Sequence, residues 1–139
     1  MKKITILLFN EYTNDIRVYK ESNSLRKAGF KVHIVATLAK GLKKNEVVNG
    51  ISIKRIKVDY RNIFLINLIV FWIKAIFKYR KSSIFHCNDL YTLPIGAAIK
   101  ILFNKNAKIV YDCHEHETEA YIYKRKPIIK YFAIITFLF

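Results

Sequence analysis

The first 36 residues hold an apolar run, an amphipathic stretch and a second apolar run. That order constrains the fold more than any other feature of the chain. Residues 3–9 are rich in β-formers with almost no polar break, as expected of a strand buried on both faces of a parallel sheet. A polar stretch over 10–15 follows. Val18, Ser22, Leu25 and Ala28 then recur at helical spacing, which predicts a helix over 16–28. Gly29 stands where a left-handed C-terminal cap is expected. Residues 31–36 form a second β-type run. Strand, helix and strand in this order make a βαβ unit, and such a unit implies a parallel sheet.

The remaining pattern continues the alternation. Residues 39–49 read as a polar, lysine-rich loop and Asn49-Gly50 as a turn. Ile51, Ile53, Ile56 and Val58 alternate with polar residues, which predicts a third strand over 51–58 near a sheet edge. A long helix is expected over 62–80, a short strand over 83–86 and a helix over 92–103. Pro94 suits the first turn of that helix, and Gly96, Ala97 and Ala98 permit close approach to a sheet. A buried strand over 107–112 and a last helix from about Pro127 complete the chain. The order β-α-β-β-α-β-α-β-α predicts a Rossmann-like, doubly wound α/β fold, a mainly parallel sheet with helices on both faces. The 139 residues fit one such domain.

Charge narrows the partners. Lys and Arg number 25 against 10 Asp and Glu, a net charge of +15. Nucleic acid, an anionic membrane surface or a phosphorylated ligand all answer that excess. The nucleic-acid reading rests on charge alone, since no helix-turn-helix, zinc-finger or RNA-recognition signature is present. Two cysteines, Cys87 and Cys113, exclude a disulfide-stapled fold. The opening segment is too short and lacks the small-residue cleavage site of a signal peptide, so a cytoplasmic chain is expected. Residues 63–77 and 128–139 are apolar but interrupted by Lys74 and Lys130. Both fall short of the ~20 residues that span a bilayer. Along 62–80 and one residue beyond, Asn67, Lys74, Lys78 and Lys81 form one polar stripe beside Phe64, Leu68, Phe71, Trp72 and Phe77. Such a helix either packs on several sides or lies in a membrane interface.

In doubly wound sheets ligands bind beyond the carboxyl ends of the strands. The loops there are 10–17, 86–89 and 112–117. These loops, with Glu119 just beyond, hold seven of the ten acids: Glu11, Asp15, Asp89, Asp112, Glu115, Glu117 and Glu119. His86, His114 and His116 lie there too, three of four histidines. Such clustering suits proton chemistry or a hydroxyl-rich ligand. Water also demands polar loops, and Asp89 and Asp112 are equally suited to capping. His86, Cys87, Cys113, His114 and His116 are zinc-type ligands, but their spacing matches no zinc framework. Neighbours on a strand point to opposite faces, so no metal is expected.

At these loops the chain resembles a known family. The pieces are Asp15-Ile16-Arg17-Val18, the stretch Ser24 to Val32 around Ala28-Gly29, Asn49-Gly50-Ile51, His86-Cys87-Asn88-Asp89 with Leu93-Pro94, and Ile109-Val110-Tyr111-Asp112-Cys113-His114-Glu115. In order and spacing they resemble the N-terminal, acceptor-side domain of glycosyltransferase family 4-like enzymes, which have the GT-B architecture. The resemblance implies one of two Rossmann-like halves facing a cleft, the acceptor held here and the nucleotide sugar gripped by the other half. It implies retention of anomeric configuration, with no metal and no cofactor. By resemblance His114 is the catalytic residue, beside the transferred sugar. Glu115, Asp112, Asp89, His86, Arg17 and Asn10 are substrate-binding candidates, Arg17 meeting a phosphate or bridging to Asp15 or Asp89.

Two departures matter. The loop after the first strand lacks the family's glycine pair, and the donor half with its two glutamates is missing. Residues 1–139 are expected to be a single domain that stops before its last strand. The partners implied are a nucleotide sugar, a sugar or lipid-linked acceptor, an anionic membrane surface at the inner face of the cell membrane, and a separate donor-domain chain. Surface polysaccharide or glycolipid synthesis is the implied setting. A non-catalytic interaction domain that pairs with a donor half, and a basic nucleic-acid-binding domain, are the alternatives.

Overall fold

The computed structural model describes residues 1–13, 15–58 and 63–112. Six strands form one sheet: β1 (Lys3–Leu7), β2 (Lys31–Thr37), β3 (Asn45–Val48), β4 (Ile51–Ile56), β5 (Ile84–Cys87) and β6 (Lys108–Tyr111). Their order is β3-β4-β2-β1-β5-β6, all neighbours parallel except β3 with β4. Three helices are described: α1 (Ile16–Lys27), α2 (Phe64–Tyr79) and α3 (Leu93–Leu102). This is the expected doubly wound α/β fold.

Strand periodicity divides the core into two layers. Ile4, Ile6, Val32, Ile34, Ile51 and Ile53 point to one face, where Val18 and Leu25 of α1 cover them. Leu7, Val35, Ile56, Phe85 and Cys87 point to the other, against Phe71 and Ala75 of α2 and Ile95 and Ile99 of α3. Both faces are apolar because both are covered, which is why β1 and β2 show no alternation. Each fully buried side chain of this kind contributes roughly 1.5–3 kcal/mol.

Local chemistry sets the helix ends. Asp15 caps α1 by accepting a hydrogen bond from Val18 N at 3.0 Å. Gly29 follows at φ 87°, as its position predicts. Pro94 sits in the first turn of α3. The small residues of that helix do permit close approach: a Cβ at Gly96 would lie 3.0 Å from Cys87 Sγ and 3.4 Å from Ile109 Cγ2.

Three expectations need correction. The stretch 39–49 is not all loop, because β3 pairs antiparallel with β4 across Asn49 (φ 50°) and Gly50 (φ 77°). Two successive positive φ values make the tight hairpin turn that Asn-Gly favours. The strand is four residues long and mostly exposed, so it carries no burial pattern to read. The last described strand was expected to be buried, but β6 ends the described sheet and Val110 is exposed. The fourth expected strand is shifted by one residue, which takes Cys87 into β5. The helix expected from Pro127 lies outside the described residues. Among the described residues no helix is long and apolar enough to cross a membrane.

Candidate functional site

The chain passes from β1 to β2 on one side and returns through β5 on the other. Strand order therefore reverses at β1, and the crevice lies beyond the carboxyl ends of β1 and β5.

The loop after β1 is folded by its own side chains. Asn10 Oδ1 accepts from Tyr12 N at 2.9 Å, and the Asn10 carbonyl accepts from Thr37 N at 2.8 Å. This turn carries Tyr12 into the left-handed region at φ 51°, a strained setting for a bulky residue. Arg55 locks the loop from below. Its Nε donates to the Glu11 carbonyl at 2.9 Å, Nη1 to the Lys43 carbonyl at 3.0 Å and to Glu46 Oε1 at 2.5 Å, and Nη2 to the Tyr12 carbonyl at 3.3 Å. One guanidinium thus joins the β1–α1 loop to the β3–β4 hairpin. Beside it opens a cleft of about 440 Å³, lined by Tyr12, Tyr19, Leu42, Glu46, Ile53 and Arg55 among others. A second open cleft of about 490 Å³ brings Asn10, Glu11, Thr13, Asp15 and Arg17 together.

A polar network straps α1 to β5 and β6. Arg17 Nη1 donates to Asp112 Oδ2 at 2.7 Å. One turn further along α1, Glu21 Oε1 lies 2.5 Å from His86 Nδ1. Arg17 therefore bridges to Asp112, and the expected pairing with Asp15 or Asp89 does not occur. Asp15 is spent on its cap, and Asp89 lies beyond Phe9. Asp89 Oδ2 accepts from Phe9 N at 3.0 Å and Oδ1 from Thr92 N at 2.7 Å. It ties the ends of β1 and β5 and caps the approach to α3. Burial raises its carboxyl above the ordinary range, and the hydrogen bonds from Phe9 and Thr92 oppose that rise.

Near Asp89 the rings of Phe9, Phe64, Phe71 and Tyr91 pack together. Phe9 meets Phe64 at 5.6 Å and Phe71 at 5.3 Å, and Phe64 meets Tyr91 at 5.3 Å. Trp72 Nε1 donates to the Tyr91 carbonyl at 2.6 Å, fixing that loop to α2.

Glu21, His86 and Asp112 offer ligand atoms all within 4.8 Å of one another. They could hold a divalent cation, but Arg17 already supplies positive charge to Asp112. Cys87, next to His86, points into the opposite apolar layer. Burial pushes its thiol up to about 12, so it is a packing group and no nucleophile.

The structure thus brings Arg17, His86 and Asp112 into one network and places Asn10 on the adjoining loop. Asp89 stands apart, across Phe9. His114 and Glu115 lie outside the described residues. Sequence reasoning missed Glu21, Arg55 and the strain at Tyr12. Glu21 stands four residues after Arg17 on α1, a spacing that places both on one helix face. Arg55 shares the inward register of Ile51 and Ile53, a position where an unpaired charge would be costly.

Comparison with known proteins bears on the fold and the family. No curated protein matches the chain. Sucrose-phosphate synthase from Thermosynechococcus elongatus superimposes with a TM-score of 0.74 at 14% identity, over 98% of this chain and 40% of that one. The catalytic domain of starch synthase IV from Arabidopsis thaliana, bound to ADP and acarbose, gives 0.64 at 15% identity, over 84% of this chain and 34% of that one. The chain therefore spans less than half the length of either neighbour. At such identities the likeness concerns the fold. The model of Glycosyltransferase Family 4 matches residues 16–138, nearly the whole sequence, and by that match the chain belongs to Glycosyltransferase Family 4.

Proposed function

We propose that this chain is the acceptor-side half of a retaining glycosyltransferase that uses a nucleotide-sugar donor. The family match over residues 16–138 carries this reading. Its setting is surface polysaccharide or glycolipid synthesis, with a sugar or lipid-linked acceptor presented at the inner, cytoplasmic face of the cell membrane. Supporting it, ring-bearing and hydroxyl-binding groups both gather beyond the carboxyl ends of β1 and β5, as a sugar requires. Phe64 and Tyr91 offer apolar surface to a pyranose face, and Asn10 and Arg17 line the open cleft beyond β1. His114 acts at the transferred sugar, with Glu115 beside it.

The test is reconstitution. This chain is incubated with nucleotide sugars and extracted lipids, alone and with a family donor half, and product is read by mass spectrometry. Transfer only in the mixture is expected. Robust multiple-turnover transfer by residues 1–139 alone contradicts the reading of these residues as an acceptor-side half. In the mixture, His114→Ala lowers turnover by on the order of 10²–10⁴, the range for a lost catalytic proton-transfer group. His116→Ala is the control. Equal losses, or loss of the circular-dichroism signal with His114→Ala, reject the assignment.

A further inference from the structure

Towards the amino ends of the strands, opposite the crevice, the α2–α3 face of the sheet turns polar. Side chains alternate along each strand. Lys3 and Thr5 of β1, Lys31 and His33 of β2, and Ser52 and Lys54 of β4 therefore share the face of Leu7, Val35 and Ile56. The register sets Lys3 beside Lys31, and His33 between Thr5 and Ser52. His33 is 9% exposed, and neither ring nitrogen has a hydrogen-bond partner among the described residues. The Thr5 hydroxyl is engaged with Ser82 at 2.6 Å. A buried imidazole without a partner is costly and calls for one that the described residues do not supply.

The charges around the ring have one sign. Lys3, Lys31 and Lys54 all bear on His33, and no described acid opposes them. They bear on one another as well. Burial first, then Lys54 and Lys31, lower the Lys3 ammonium below its ordinary range. Neighbouring strands stand about 4.8 Å apart, so the register of Lys3 with Lys31 sets two like charges together. Lys3 and Lys54 are half-buried and Lys31 is exposed, so the cations reach solvent while the imidazole does not. Two deficits thus coincide among the described residues: a buried ring without a partner, and lysines without a counter-charge. A compact anion answers both. Its oxygens accept from a ring N–H and from ammonium groups on flexible stems, and such charge-assisted bonds are the strong ones.

We propose that the amino-end patch of β1, β2 and β4 binds a phosphate dianion, with Lys3, Lys31 and Lys54 as its counter-charges and His33 donating to one oxygen. The patch lies at the far end of the strands from the crevice, and the proposal is independent of the glycosyltransferase reading. Free phosphate and the phosphoryl group of a small monoester share this chemistry.

Urea unfolding of the full chain is followed with rising inorganic phosphate, with glycerol phosphate, and with sodium chloride at matched ionic strength. A saturable rise in midpoint with phosphate, absent with chloride, is the expected result, because a ligand of the folded state alone stabilises it by mass action. A larger rise with glycerol phosphate identifies a phosphorylated small molecule as the source, and a larger rise with the inorganic ion identifies free phosphate. Lys3→Gln/Lys54→Gln lowers the apparent affinity about tenfold, and without phosphate it raises the midpoint by relieving repulsion. His33→Leu keeps the lysines and still lowers affinity about fivefold. Lys20→Gln/Lys27→Gln removes the same charge from the exposed side of α1 and leaves affinity unchanged. An equal rise with chloride, a rise that never saturates, or unchanged affinity in either the Lys3/Lys54 or the His33 variant overturns the proposal. So does an equal loss in the α1 variant, which makes the response one of net charge alone. Lysine-dependent binding of a single-stranded oligonucleotide, with no response to inorganic phosphate, overturns it as well.

Discussion

The two faces of the sheet are built from the same kind of strand but use polar groups in opposite ways. On the α1 face, polar side chains reach across elements. Arg17 meets Asp112, Glu21 meets His86, and Arg55 gathers three carbonyls and Glu46. On the α2–α3 face the core is apolar, with Thr5 and Ser82 satisfying each other at 2.6 Å. The contrast extends to two histidines of the sheet, one on each face, with β1 between their strands. His86 on the α1 face has Glu21 at Nδ1. His33 has no partner for either ring nitrogen among the described residues. One face is therefore held by directional contacts that converge on a loop cluster, and the other by shape. On the second face directional contacts hold the loop ends, Asp89 to Phe9 and Thr92 and Trp72 to Tyr91.

If that contrast is real, the largest loss comes from cutting the directional face at its centre. Arg55→Leu leaves the Glu11, Lys43 and Tyr12 carbonyls and Glu46 without their shared donor. With the guanidinium only 3% exposed, the cost should be about 3 kcal/mol in urea unfolding. A cost near zero would mean that water replaces Arg55 and that the loop is held otherwise. The shape-held face has its own sharpest point at Gly96. Gly96→Val forces a branched side chain against Cys87 and Ile109 and should cost about 1–3 kcal/mol. Cys87→Ala should restore part of that loss, because it vacates the atom in closest conflict. No recovery in the double variant would place the strain in the helix backbone.

How much of this was legible follows the same division. The apolar runs of β1 and β2 and the spacing of Val18, Ser22 and Leu25 announce the βαβ core, because burial on two faces leaves a periodic record. The Asp15 cap and Gly29 are local and equally readable. β3 was not, since four exposed residues on an edge carry no such record. At the site, the loops were legible but their pairings were not. Arg17 and Asp112 lie 95 residues apart, and only the packing of α1 over β5 and β6 brings them together. Asp89 reads as shaping its loop or contacting ligand and Asn10 as a ligand contact, and the structure shows each folding its own loop.

The unpartnered histidine gives a smaller and pH-dependent effect. Burial first, then Lys3, Lys31 and Lys54, push His33 down to about 4. The folded state thus holds neutral His33, whereas the unfolded chain protonates it near 6.5. That contribution is complete above pH 6.5 and is lost as pH falls towards about 4. Unfolding followed from pH 7 to pH 4 should show falling stability, and His33→Leu should flatten part of that slope. An unchanged slope would assign acid sensitivity to the carboxylates of the opposite face.

The smallest effect expected is at the pair that most resembles a functional contact. Arg17 and Asp112 are close, at 2.7 Å, but their side chains are 44% and 33% exposed. Solvent screening at such a surface leaves an ion pair worth about 0–1 kcal/mol. Arg17→Ala, Asp112→Ala and the double variant should therefore show a coupling under about 1 kcal/mol in stability. Site geometry is a different matter, because Arg17 holds Asp112, just after β6, against α1, two residues before His114 in the sequence. In the reconstituted reaction Arg17→Ala should lower turnover far more than its stability loss accounts for, and Arg17→Lys should recover only part, having one point charge in place of a planar fork. Should turnover and stability instead fall in proportion, the polar network of the α1 face is scaffolding, and the chemistry lies with residues beyond it.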